Sequence, residues 1–195
     1  MKKKKDLNSK VTNMLHMEQK DYRYDIVGVL LHGENHIRGI AKELKINHMM
    51  IVRKIRELLD LNVVDFSAKG KNKSYFIKNS VEARNFILMF EQYSLINFLI
   101  KHPSIKWIVE KIQRDKRIKL ALIFGSYAKN LEHKSSDLDL FFETSDSNLK
   151  KEYSLIDSKL SVKIGKLGKD NLSLEIIKNH IIIKGGEKYY EQIFK

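Results

Sequence analysis

Apolar positions in the N-terminal third of the chain recur first at helical and then at strand spacing. From Asp21, the segment YDIVGVLLHG sets Ile26, Val27, Leu30 and Leu31 at helical intervals and stops at Gly33, a residue suited to the cap that follows a helix. A second helix places Ile37, Ile40, Ala41 and Leu44 on one face. Asn47 is a good N-cap for a third helix running to about Leu59, with Ile51, Ile55, Leu58 and Leu59 as its buried stripe. That leaves His48, Met49, Val52, Arg53 and Arg56 facing outward or flanking the stripe. Residues 61–66 are then rich in strand formers, residues 67–73 read as a turn, and residues 74–78 alternate Tyr75 and Ile77 with polar positions, which predicts a hairpin.

Residues 81–102 form helices readily and carry apolar side chains on more than one face, so the pattern predicts burial on several sides, in a dimer or interdomain helix or in an ordinary core helix. Pro103 is the sole proline of the chain and marks a break, with a further helix from about Ile105 to Arg114. Residues 119–124 are an apolar run of buried-strand type that ends in Gly125-Ser126. A second strand over 136–142, a third over 159–164, a helix over 171–180, a short apolar strand or turn at 181–186 and a last helix from Glu187 complete the pattern. The expected fold is α+β in two parts: a basic tail at 1–19, a helical domain with a hairpin at 20–79, a connecting helix at 80–104, and a small mixed sheet flanked by helices at 105–195.

Charge sharpens this division. The chain of 195 residues carries a net charge of +13, and residues 1–80 hold 17 basic against 9 acidic side chains. A strongly basic N-terminal part favours a polyanionic partner. The absence of cysteine excludes a disulfide scaffold, a thiolate zinc site, an iron–sulfur cluster and a cysteine nucleophile together. His32 and His36 are four apart, but Gly33 between them breaks the helical face a zinc pair needs. No apolar region follows the lysines at 2–5, and no stretch reaches the roughly 18 apolar residues of a membrane span, so the expectation is a soluble cytoplasmic protein without a membrane partner.

The chemistry concentrates between residues 119 and 142. A strand that ends abruptly in Gly-Ser lets the backbone approach a phosphate, with the Ser126 hydroxyl as a donor. Ten residues after Ser126 comes SDLDLFF, in which strand periodicity puts Asp137 and Asp139 on one face. Two carboxylates so placed repel each other unless a cation lies between them, which suggests a hard divalent ion such as Mg²⁺.

Two resemblances follow from these residues. The helix, turn, helix and basic hairpin of residues 20–79 resemble the winged helix-turn-helix domains of prokaryotic transcription regulators. That resemblance implies that Asn47, His48, Arg53 and the wing lysines Lys69, Lys71 and Lys73 approach double-stranded DNA; a pure protein-interaction domain is the alternative. FGSYAKN followed by SDLDLFF resembles the DNA polymerase beta-like nucleotidyltransferase superfamily, and most nearly its minimal nucleotidyltransferases. It implies that Gly125 and Ser126 hold a nucleoside triphosphate and that Asp137 and Asp139 are catalytic and bind the metal. Nucleotide then passes to an acceptor hydroxyl, of a protein or another molecule, with loss of pyrophosphate. Two departures stand out: Asn130 occupies a position where many relatives have glycine, and the third carboxylate of the family's catalysts is missing from its expected strand. Ser161 and Lys163 fill that strand's polar positions, while Asp157 and Asp170 lie near its ends. The resulting expectation is a DNA-binding, Mg²⁺-dependent nucleotidyltransferase. The alternative is a transcription regulator whose second domain is inactive and serves ligand sensing or dimerisation. The apolar helix and the symmetry of most winged-helix sites also raise the expectation of a homodimer.

Overall fold

The computed structural model describes residues 21–70 and 72–193; the basic tail expected at 1–19 and the wing residue Lys71 lie outside the described residues. The chain divides into two compact units, the first ending at Ile87 and the second beginning at Leu88.

In the first unit, α1 (Tyr22–Leu31), α2 (Ile37–Leu44) and α3 (His48–Asp60) precede a two-stranded hairpin of β1 (Val64–Lys69) and β2 (Asn72–Ile77). Each helix start has a local cause. The Asp21 carboxylate accepts the backbone N–H of Arg23 at 3.1 Å and caps α1, and Asn47 Oδ1 accepts that of Met49 at 2.8 Å and caps α3. Lys45, at φ 55°, reverses the chain between α2 and α3. Ile26, Val27, Leu30, Ile40, Ile51, Ile55 and Leu58 are buried together with Val63, Val64 and Tyr75. Asn35 adds a single antiparallel bridge to Tyr75, through N–H···O bonds of 3.0 and 2.8 Å. Three helices followed by a hairpin that pairs back to the α1–α2 connection make a winged helix-turn-helix. The wing is tighter than the sequence suggests, since the strands run to Lys69 and from Asn72, with Gly70 at φ 62°. Lys69 and Lys73 therefore stand in the strands rather than in a loop, because a left-handed glycine closes a hairpin in very few residues.

The division between the units falls inside α4 (Val81–Lys101). Its inward stripe is Ile87, Glu91, Leu95 and Phe98, while Met89, Ile96 and Ile100 are exposed. The burial on several sides that the pattern predicts is only partly met: Phe86, Leu88, Phe90 and Leu99 beside the stripe are half-buried, while one face is open.

The second unit continues with a 3₁₀ turn (Pro103–Ile105), α5 (Lys106–Arg114), β3 (Ile118–Phe124), a single-turn α6 (Gly125–Ala128), β4 (Leu138–Thr144), α7 (Asn148–Ile156), β5 (Leu160–Ile164), α8 (Asn171–Lys178), β6 (Ile181–Lys184) and α9 (Gly186–Ile193). The sheet order is β5-β4-β3-β6, with β3 antiparallel to both neighbours and β4 parallel to β5. A parallel pair needs a crossover, and α7 supplies it; its Tyr153 is fully buried against Phe142, ring centroids 5.1 Å apart. The sequence reading contains no helix there. Both faces of the sheet are covered. Ala121, Ile123, Leu140, Phe142 and Val162 pack with Ile108, Ile112 and Tyr153, while Leu120, Leu122, Phe124 and Phe141 pack with Ile176 and Tyr189.

One ion pair crosses the second face. Glu143 of β4 is 7% exposed and accepts from Lys188 Nζ at 2.5 Å and Gln192 Nε2 at 2.8 Å, both on α9. Burial alone pushes the Glu143 carboxyl up; the hydrogen bonds from Lys188 and Gln192 and the charges of Lys188 and Lys166 outweigh it, leaving the group below its ordinary value. A carboxylate held low stabilises the fold above the unfolded-state value of about 4.3, and that contribution fades as the pH falls through the lower folded value. Urea denaturation of the intact protein and a Lys188→Met variant from pH 7 to pH 3 checks this. The variant is less stable by about 1–3 kcal/mol at pH 7, and the gap closes on acidification.

Candidate nucleotide and nucleic-acid sites

β3 runs as a buried strand to Phe124, and the chain then turns at once. Gly125 sits at φ 71°, α6 lasts one turn, and Asn130 is left-handed at φ 53°. Asparagine tolerates this conformation better than other non-glycine residues, so the turn forms without a glycine there. The loop closes with the Leu131 N–H donating to the Ser126 carbonyl at 2.9 Å, and Lys101 Nζ donates to Asn130 Oδ1 at 3.1 Å.

The strand pairing then brings in one acid. Asp139 of β4 is paired with Phe124, the last residue before the turn. Its carboxylate lies against the bare Cα of Gly125: a methyl group there would come within 2.3 Å of Asp139 Oδ2. Gly125 and Asp139 are therefore in contact, half-buried, at one end of the sheet. Ser126 is half-buried in the same turn, and Asp137 is exposed, one residue before the strand that begins at Leu138. The chain reaches it through a turn in which the Ser136 N–H donates to the His133 carbonyl at 2.9 Å. Asp137 thus lies on the loop that precedes the strand rather than within it.

On the other side of Asp139, the parallel β5 sets Ser161 as its partner, with exposed Lys163 two residues on. No carboxylate occupies that place. Asp157 Oδ1 accepts the Lys159 N–H at 2.9 Å, and Asp170 caps α8 by accepting the backbone N–H and hydroxyl of Ser173, which holds its carboxyl below the ordinary value. Both are spent on local structure. Among the described residues, no group of three or more histidine, cysteine or acidic side chains is placed to hold a metal ion.

Two supports of the turn were not legible beforehand. Lys129 pairs with Glu175 of α8 at 2.6 Å. His102 Nε2 lies 3.5 Å from Glu132, its ring 5.4 Å from that of Tyr127 in α6. These partners are 46, 30 and 25 positions apart in the chain, and neither periodicity nor local spacing joins residues so distant.

In the first unit, His48 and Arg53 are exposed on α3, and Asn47 is exposed with its carbonyl oxygen committed to the cap. In the wing, Lys73 Nζ lies 3.7 Å from the centroid of the Phe66 ring. Among the described residues, no helix is long and apolar enough to cross a membrane.

Comparison with known families places the second unit. Residues 106–188 match the family described as polymerase beta, nucleotidyltransferase. Solved structures similar to the chain include the transcriptional repressor BigR from Xylella fastidiosa, with 15% identity over 48% of this chain and 93% of that one, TM-score 0.36. The adhesin competence repressor AdcR from Streptococcus pyogenes gives 14% identity, coverage of 53% and 81%, and TM-score 0.42. The homodimeric winged helix-turn-helix domain of Mb0332 from Mycobacterium bovis gives 23%, 44% and 80%, and 0.33. No curated protein matches significantly. The order of three helices and a paired hairpin described above is what assigns the N-terminal fold.

The close approach at Gly125 yields an expected outcome. Gly125→Ala lowers stability by about 1–2 kcal/mol through the left-handed backbone and forces the Asp139 carboxylate aside. Chemical denaturation measures the first effect, and a crystal structure of the folded variant shows the second.

Proposed function

We propose that the chain is a DNA-binding protein whose second domain binds a nucleoside triphosphate with Mg²⁺ and transfers the nucleoside monophosphate to an acceptor hydroxyl. The observation that carries this reading is the contact between the Gly125 turn and Asp139, inside a segment that matches the nucleotidyltransferase family. The donor set suits Mg²⁺: Asp137 and Asp139 offer oxygen only, and Mg²⁺ is commonly held by one or two carboxylates with the substrate phosphates and water completing its shell. When bound there, the ion would neutralise charge on the phosphates. In the turn that follows Gly125 the Ser126 hydroxyl is the donor for a phosphate, and Lys163 stands two positions beyond Ser161 on the neighbouring strand.

A second reading has its own support. Ser161 holds the position beside Asp139, and neither Asp157 nor Asp170 is free to replace a third acid. A carboxylate base for the acceptor hydroxyl is then lacking, which favours a nucleotide-binding regulator with little or no turnover.

Titration calorimetry of the four ribonucleoside triphosphates, with and without Mg²⁺, on the intact chain and on an Asp137→Asn, Asp139→Asn variant tests the site. Mg²⁺-dependent binding that vanishes in the variant is expected; absence of binding to the intact chain overturns the nucleotide reading. Pyrophosphate release in the presence of candidate acceptors separates transfer from sensing.

A homodimer is proposed on the exposed Met89, Ile96 and Ile100 of α4, which are 46%, 56% and 73% accessible. Light scattering at working concentration should give twice the 22.9 kDa chain mass, and a monomer removes the idea.

A further inference from the structure

The outward face of α3 joins two chemistries seldom combined on a surface that only neutralises phosphates. Met49 is 68% exposed, Met50 and Val52 are half-buried, and Arg53 and Arg56 are exposed beside them. With Asn47 these residues line an open groove of about 610 Å³. From His48 to Arg56 there is no acidic residue, and Glu57 just beyond is engaged by Lys54 at 2.8 Å. Arg53 is laid against the helix, a guanidinium nitrogen 3.1 Å from Met50 Sδ, so its charge lies beside the apolar pair.

An apolar protein segment seated here would strip water from two arginines and give them no acceptor in return. A DNA duplex meets both needs. In the major groove, guanine offers O6 and N7 to arginine, and thymine presents an apolar C5-methyl group. The N-terminal part of a recognition helix is the part that reaches base edges, and that is where Met49 and Val52 stand, one helical turn apart.

Resting on the DNA-binding reading above, we propose that α3 reads thymine methyl groups. Met49 and Val52 pack against the C5-methyls of thymines within one or two base steps of each other, while Arg53 and Arg56 donate to guanine or phosphate alongside. The duplex selected is one whose half-site sets thymines where these two side chains arrive.

The test isolates the methyl group. A duplex bound by the full chain is recovered by selection from random DNA. Every thymine is then replaced by deoxyuridine, which removes the C5-methyl and keeps the base pairs. Affinities are compared by fluorescence anisotropy at fixed salt, for the native sequence and for Met49→Ala. The expected loss is about fourfold for each methyl contacted. In Met49→Ala the preference for thymine over deoxyuridine shrinks by about that factor, with the salt dependence unchanged, since no phosphate contact is removed. Equal affinity of the native chain for both duplexes overturns the methyl readout and leaves DNA binding standing. Failure to recover any duplex overturns DNA binding itself, and this proposal with it.

Discussion

The second unit depends on one missing side chain. Gly125 follows directly on a strand whose next-door neighbour is Asp139, and the space that a Cβ would take at 125 is where that carboxylate lies. The left-handed φ of the same residue turns the chain sharply and sets the half-buried Ser126 in the turn that follows the strand end. Close approach and turn are therefore satisfied by one glycine. Everything else around the site keeps that geometry in place: Asn130 adopts the second left-handed position, Lys101 holds its side-chain oxygen, and Glu175 anchors Lys129.

The sheet makes this arrangement rigid by being covered on both faces. β3 is buried along nearly its whole length, so its end cannot shift without disturbing two layers of packing. The parallel register of β4 and β5 then decides what stands beside Asp139, and it sets Ser161 there. A serine, not a carboxylate, therefore stands beside Asp139.

The first unit is organised by caps and one hairpin. Asp21 and Asn47 start the two helices that flank the core, and Asn35 ties the α1–α2 connection to the wing. Because Ile51, Ile55 and Leu58 take the inner side of α3, its other side is left to Met49, Arg53 and Arg56. The first unit thus sets arginines and apolar side chains side by side on the outer face of α3, and the second sets the Gly125 turn against Asp139 at one end of the sheet.

Much of this was legible from local signals. Helical spacing at 26–31, 37–44 and 51–58, the cap at Asn47, the strand that stops at Gly125 and the alternation around Asp139 depend on residues within a few positions of one another, so the sequence determines them directly. The same holds for Asn130, whose side chain tolerates the conformation the turn requires. The tertiary structure alone decided the rest. The helix α7 carries Leu149, Tyr153 and Ile156 at helical spacing, but its place as the crossover between β4 and β5 is set by Leu149 and Tyr153 in the core. The pairing of Asp139 with Ser161 and the joining of Lys129 to Glu175 depend on register and packing between distant segments. Spacing along a chain records which face a residue occupies; which residue meets it there is set only when the strands are laid side by side.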